Sequence, residues 1–221
     1  MKMTKFKYVT LLAVSSLLVS CGGEETQDKS AQKDKEKSAI NNCIYEYSPE
    51  KTEVAFTAYK YLNRTGVGGT LPEMQVEGKT SGASPKAIFE SLSFTIPTGV
   101  VETNNEDRNK KIDSLFFGML KSTEMISGKV LEMDEDNKKI SLDITMNEVT
   151  NKVTTDYMLE DNKLKFSTDI DVNKWNAQEG VEALNEACKD LHTNKVEGDT
   201  VSKLWSEVTI KFNSELTKNC D

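Results

Sequence analysis

Beyond residue 50 the chain alternates apolar and polar side chains with a period of two. Val54, Phe56 and Ala58 alternate with more polar neighbours, and Leu92, Phe94 and Ile96 alternate with Ser91, Ser93 and Thr95. Ile140, Leu142, Ile144 and Met146 do the same against Lys139, Ser141, Asp143 and Thr145. Val153, Tyr157 and Leu159 continue the pattern, as do Leu164, Phe166 and Ile170, and then Leu204, Val208, Ile210 and Phe212. Successive side chains of a strand point to opposite faces, so each run predicts a strand with one buried and one wet face. Such strands belong to antiparallel sheets, because parallel strands are covered on both sides. Asp134-Glu135-Asp136-Asn137 and Glu160-Asp161-Asn162 separate such runs and read as hairpin turns. With further strands near 71–78 and 123–133, the pattern predicts an all-β fold: an antiparallel barrel of about eight strands. A two-sheet sandwich shows the same alternation, and the period does not separate the two.

Two segments switch to helical spacing. Within 105–119, Ile112, Leu115, Phe116 and Met119 fall at i, i+3, i+4 and i+7, on one face. Within 173–191 the corresponding face is Val181, Leu184, Cys188 and Leu191. Both read as short helices capping or flanking the sheet.

The first 42 residues differ in character. Lys2, Lys5 and Lys7 precede an apolar run from Val9 to Leu18, and the small residues Val19 and Ser20 precede Cys21. This arrangement resembles a bacterial lipoprotein signal peptide, which implies removal of residues 1–20 and acylation of Cys21. The apolar run is well short of the ~20 residues a bilayer span requires. Residues 21–42 are polar, charged and small, and read as a tether without a core of its own. Gly22-Gly23-Glu24-Glu25 also resembles the signal that sends some lipoproteins to the cell surface. Residues 43–221 then form one domain, lipid-anchored in a bacterial envelope at the outer membrane, facing the periplasm or the exterior.

Charge narrows the partners. The full chain carries a formal net charge of -8, and loss of the leader's three lysines moves it to -11. An acidic exterior excludes nucleic acid and charge-driven docking on anionic lipid, so membrane attachment falls to the acyl chains on Cys21. Cys43, Cys188 and Cys220 remain in the exported part. Cys43 and Cys220 bracket the domain, and their pairing with Cys188 free is the favoured arrangement, although three single pairings and an all-reduced state stay open.

Chemistry-bearing motifs are sparse. His192 is the one histidine, so any triad must use it. Cys188 and His192 stand at i, i+4, but two ligands complete no metal site. No catalytic residues and no metal are assigned.

The run Thr103-Asn104-Asn105-Glu106-Asp107-Arg108-Asn109-Lys110-Lys111-Ile112-Asp113-Ser114-Leu115-Phe116-Phe117 resembles the signature helix of the YceI-like proteins, where Asn, Arg-Asp, His-Leu and a paired Phe-Phe recur. The stretch from Thr52 through Lys60 to Gly66-Val67-Gly68-Gly69-Thr70 resembles that family's first strand and turn, and Ile144 to Val153 resembles its Gly-Val-Thr-Lys-Pro-Val hairpin. Here Asn109 replaces the usual Asp, Lys111 the usual His, and Asn147 the usual Gly, while 173–200 is longer than the usual connection. The resemblance implies a lipocalin-like barrel holding a polyisoprenoid, such as a quinone or a prenyl phosphate. The wall would be Phe56, Phe94, Ile96, Ile112, Phe116, Leu142, Ile144, Leu164, Phe166, Val208, Ile210 and Phe212, each of which also suits an ordinary filled core. Asn105 and Arg108 would meet the head group or hold the cap, Arg108 by pairing with a carboxylate. The alternative is an interaction module without ligand, using the barrel as scaffold and 173–200 as the contact.

Overall fold

Short turns between alternating runs make neighbouring strands antiparallel. The computed structural model of the protein, which describes residues 42–122 and 124–221, is built almost wholly in this way. In chain order its strands are β1 (Cys43–Glu46), β2 (Thr52–Lys60), β3 (Thr65–Thr70), β4 (Gln75–Glu77), β5 (Ser81–Gly82) and β6 (Ser93–Pro97). They continue with β7 (Met125–Asp134), β8 (Lys139–Met146), β9 (Val149–Glu160), β10 (Lys163–Asp171), β11 (Leu204–Glu215) and β12 (Thr217–Cys220). Three short helices, α1 (Pro85–Glu90), α2 (Glu106–Lys111) and α3 (Gln178–Ala187), interrupt them. One sheet has nine strands in the order β3-β2-β11-β10-β9-β8-β7-β6-β4, and a small one has the order β12-β1-β5.

The edges of the large sheet, β3 and β4, are consecutive in the chain and joined only by residues 71–74. Such a link reaches about 17 Å, whereas nine flat strands would hold the edges about 38 Å apart, so the sheet must curl back on itself. It curls into a half-barrel, antiparallel as the alternation predicts and lipocalin-like as the resemblance implies. The edges do not pair with each other; a bridge between Thr70 and Glu102 spans one end of the gap, with Val54, Leu71, Ile96 and Val101 packed behind it.

β9 changes partners along its length. It pairs with β8 from Val149 to Asp156 but with β10 only from Tyr157 to Glu160. Over the part of β9 that precedes Tyr157 the two strands splay, and the turn Val172–Trp175 closes the wedge: the Lys174 carbonyl accepts from Asn151 Nδ2 at 2.8 Å. Trp175, 1% exposed, donates its indole N–H to the Ile144 carbonyl at 2.9 Å.

Both expected helices are broken, which corrects their buried faces. After α2 the chain makes a π turn over Ile112–Phe116 and a 3-10 turn over Phe117–Met119. A π turn inserts one residue and rotates the downstream side chains by about 100°. Phe117 is therefore buried where Met119 was expected, and Met119 is exposed. Likewise α3 ends at Ala187 and tightens into a 3-10 turn over Lys189–His192, which buries His192 and leaves Leu191 exposed. Helix α1 was not expected: six residues are too few to show a period, although Ser84 capping the Ala87 N–H and Pro85 in the first turn are its local signature.

Cys43 lies opposite Cys220 in the β1–β12 ladder and is disulfide-bonded to it; Cys188 is free and buried. This bond corrects the expected attachment to a membrane through an acylated cysteine. Cys43 and Cys220 have no thiol to acylate, and Cys188 is enclosed. Cys21, to which that expectation was tied, lies outside the described residues, and no lipid anchor is assigned. Among the described residues no helix is long and apolar enough to cross a membrane.

The half-barrel has two unlike ends. At one, α1 packs against the β7–β8 turn through a Glu90 carboxylate that accepts the Met133 N–H and a Lys86–Glu135 ion pair. At the other, the α2–π segment and α3 lie together beside the end of β2 and the start of β11.

Candidate functional site

Inward positions of opposed strands leave space between them. An apolar cavity of about 120 Å³ runs up the barrel from Phe89 and Leu92 on the α1 side, past Leu142, Ile144, Leu164, Phe166 and Phe212, to Trp175. Its lining has only two side chains with polar atoms, Thr168 and Trp175, and the Trp175 N–H is already bonded. A second apolar cavity of about 140 Å³ lies under the helices, between Phe56, Ile112, Phe116, Phe117, Val181, Leu184 and Val208. Leu71, Ile126, Met146, Ile170 and Ile210 line both, so the two are stacked on a shared ring of side chains.

Two aromatic rings are laid against the wall rather than across the lumen. Phe56 faces Gly69 between β2 and β3, and Phe94 faces Gly128 between β6 and β7. A Cβ on either glycine would fall 2.5 Å from the facing ring, so only glycine lets the ring lie flat. Gly180 works similarly at the cap: a Cβ there would meet the Phe116 carbonyl at 2.7 Å, which brings α3 against the π turn.

Asn147, at φ 52 in the β8–β9 turn, does more than a glycine could. Its Nδ2 donates to the Trp175 and Asn176 carbonyls at 2.8 and 3.0 Å, and its Oδ1 accepts the Lys121 N–H at 2.7 Å. The turn, the wedge and the end of the helical cap are thereby tied together. Asn147→Gly is expected to cost about 1–3 kcal/mol although glycine suits the positive φ better, because three hydrogen bonds go. Urea denaturation measures this, and an unchanged midpoint would assign the three bonds no weight.

A third, polar space of about 320 Å³ opens above the helical end. It shares Phe56, Ala58, Ile112, Leu184 and Leu204 with the cavity beneath it, so it is that cavity's mouth. Its rim carries Lys60, Arg108 and Lys111, one carboxylate, Asp107, and the side chains of Asn105, Cys188 and His192. Asn105 is the N-cap of α2, its side chain accepting the Arg108 N–H at 2.9 Å. The expected pairing of Arg108 with a carboxylate is not found among the described residues, and its side chain is exposed.

His192 is buried, and its Nδ1 lies 3.0 Å from Asn185 Oδ1. Asn185 donates its amide to Ser202, which leaves its oxygen to accept, so the neutral ring carries its proton on Nδ1. Burial first, then Lys60 and Lys111, push its pKa down from 6.5 to about 4. Between those values the unfolded chain binds a proton that the folded chain refuses. Stability therefore falls as pH drops from 6.5 to about 4, and His192 adds nothing further below that. Allowing for water at the mouth, the loss is on the order of 2 kcal/mol. His192→Gln should flatten this part of the profile; parallel wild-type and variant curves from denaturation at pH 7 and 4.5 would contradict it.

Every residue expected on the wall lines one or both apolar cavities, and Asn105 and Arg108 stand at the mouth. Cys188 and His192 share the mouth, but among the described residues no three His, Cys, Asp or Glu side chains could hold a metal ion. The segment 173–200 is built into this end, supplying Trp175, Val181, Leu184 and His192 to the linings. Residues not foreseen are Lys60, Lys111, Phe89, Trp175, Met146 and the cavity-sharing Ile126. For Lys60 the signal was present, since it is the next inward position after Val54, Phe56 and Ala58.

The family profile described as a YceI-like domain matches residues 45–216. No curated protein matches the sequence. Among solved structures, a polyisoprenoid binding domain from Saccharophagus degradans, implicated in plant cell wall breakdown, is similar with a TM-score of 0.55 at 11% identity, covering 81% of this chain and 99% of that one. BcnA of Burkholderia cenocepacia is similar with a TM-score of 0.51 at 14% identity, covering 78% and 99% respectively. At these identities the likeness is one of fold.

Proposed function

Because the chain belongs to the YceI-like family, we propose that its half-barrel is a binding module, not an enzyme, whose stacked cavities hold the hydrocarbon chain of an isoprenoid-type lipid. The observation that carries this is the stacking of two apolar cavities on the shared ring of Leu71, Ile126, Met146, Ile170 and Ile210, beneath a polar mouth. A long isoprenoid has almost no hydrogen-bonding capacity, so its site needs apolar length with polar groups at one end only. The likeness in fold to a polyisoprenoid binding domain supports the same reading.

Energetics agree. Empty apolar space costs about 24 cal/mol per Å³ in lost contacts, so cavities of about 120 and 140 Å³ each cost on the order of 3 kcal/mol when unfilled. A lipid chain that fills them stabilises the fold by linkage as well as being sheltered. The Cys43–Cys220 bond supports an oxidising compartment of the cell envelope as the place of action.

Protein purified from its own host should release a long-chain lipid on extraction and carry it in native mass spectrometry. Ile210→Trp, at the ring shared by the cavities, should weaken binding of an added polyprenol by about ten-fold or more by filling apolar space in both. A lipid-free protein that neither binds polyprenol nor responds to Ile210→Trp would sink the proposal.

A further inference from the structure

The mouth inverts the sign of the molecule. The chain has 36 acidic residues against 28 Lys and Arg, and Lys86, Lys110, Lys129, Lys139, Lys163 and Lys218 each pair with a carboxylate. Lys60, Arg108 and Lys111 instead gather on one rim against the single carboxylate of Asp107, and among the described residues none of the three forms an ion pair. Two elements set this cluster. Lys60 is the last inward position of β2, and Arg108, Lys111 and Ile112 share a face of the α2–π segment at i, i+3 and i+4. Ile112 faces the apolar cavity, so the two cations beside it stand where the head group of a lipid in the lumen would emerge.

We propose that this rim selects an amphiphile whose head group is anionic at neutral pH, a phosphate or carboxylate, over a neutral lipid of the same chain. The inference rests on the lipid-binding proposal and deepens it. Lys60 donates to the Leu191 carbonyl at 2.9 Å and lies over the Tyr61 ring, but among the described residues no carboxylate neutralises any of the three cations; an anionic head group does so, whereas a quinone or alcohol head does not. Arg108 can grip two oxygens at once, while the lysines act as point charges on flexible stems. Charge-assisted contacts of this kind exceed neutral ones, and here they act at the edge of a low-dielectric lumen. His192, buried in the same lining as Lys60, Lys111, Cys188, Arg108 and Asp107 and already felt by the two lysines, is the internal reporter.

The test compares a polyprenyl phosphate with the polyprenol of equal length, measured by calorimetry at physiological salt, with inorganic phosphate as a third arm. Wild type should bind the phosphate ester at least about ten-fold more tightly than the alcohol. In the triple variant Lys60→Gln, Arg108→Gln, Lys111→Gln, checked for folding by circular dichroism, the ratio should fall toward one. Because His192 is the sole histidine, its ring proton resonance is assigned without ambiguity. Its pKa, about 4 in the free protein, should rise further with the phosphate ester bound than with the alcohol. Equal affinities in wild type, or a ratio unchanged in the variant, would overturn the anion selection while leaving lipid binding intact. If neither amphiphile binds, both proposals fall. Tight binding of inorganic phosphate alone would make the rim a free-anion site and overturn the amphiphile assignment.

Discussion

Phe89→Ala is expected to lower stability by about 3–5 kcal/mol and to lengthen the lumen at its closed end. Phe89 is 1% exposed, projects from α1 into the larger core cluster with Ile88, Leu92, Ile140 and Leu164, and forms the floor of the inner cavity. Its removal loses the transfer energy of a phenyl ring and enlarges the apolar cavity that the ring lines. Relaxation is restricted, because α1 is held by the Ser84 cap at one end and by the Glu90 contact with the Met133 N–H at the other. The same change should favour longer lipid chains, since the floor recedes. Denaturant unfolding gives the first quantity, and a series of polyprenols of increasing length gives the second. A loss below about 1 kcal/mol would show that α1 collapses into the gap, and the floor would then not be set by Phe89.

The second large effect is expected from the disulfide. Cys43→Ser with Cys220→Ser should cost about 2–4 kcal/mol, lowering Tm by roughly 5–15 °C. The bond joins residues 177 apart, so in the unfolded chain it closes almost the whole domain into a loop, where the entropic gain is largest. It also has a local task. β1 pairs with β12 on one side and with β5 on the other, and β5 leads through Ser84 into α1. Hydrogen exchange in the variant should therefore accelerate first in 43–46, 81–90 and 217–220, before the strands of the large sheet. An oxidised and a reduced wild type with the same Tm would remove the bond from the energetics of the fold.

Most of the lumen was legible along the chain, because it is a consequence of period-two alternation. Once β8 and β10 are strands, Leu142, Ile144, Leu164 and Phe166 must share one face, and a single-sided sheet must bury it. Lys60 follows from the same rule, as the inward position that follows Ala58. The helical cap was legible in existence but not in phase: spacing alone assumes 3.6 residues per turn, and the π turn at Ile112–Phe116 exchanged Met119 for Phe117. Asn147 shows the reverse case. Along the chain it is only a departure from the family's usual glycine; the structure gives it a role by placing Lys121, Trp175 and Asn176 around its amide.

By itself the sequence determined the class of fold and the apolar faces of the long strands, since both depend on local period and on which side chains water rejects. Tertiary structure alone decided that the sheet curls until β3 and β4 nearly meet, that β9 and β10 splay around Trp175, and that Lys60 joins Arg108 and Lys111 at one mouth. These depend on contacts between residues far apart in the chain, whose geometry is set by packing and by the length of the connections, and no short-range period encodes either.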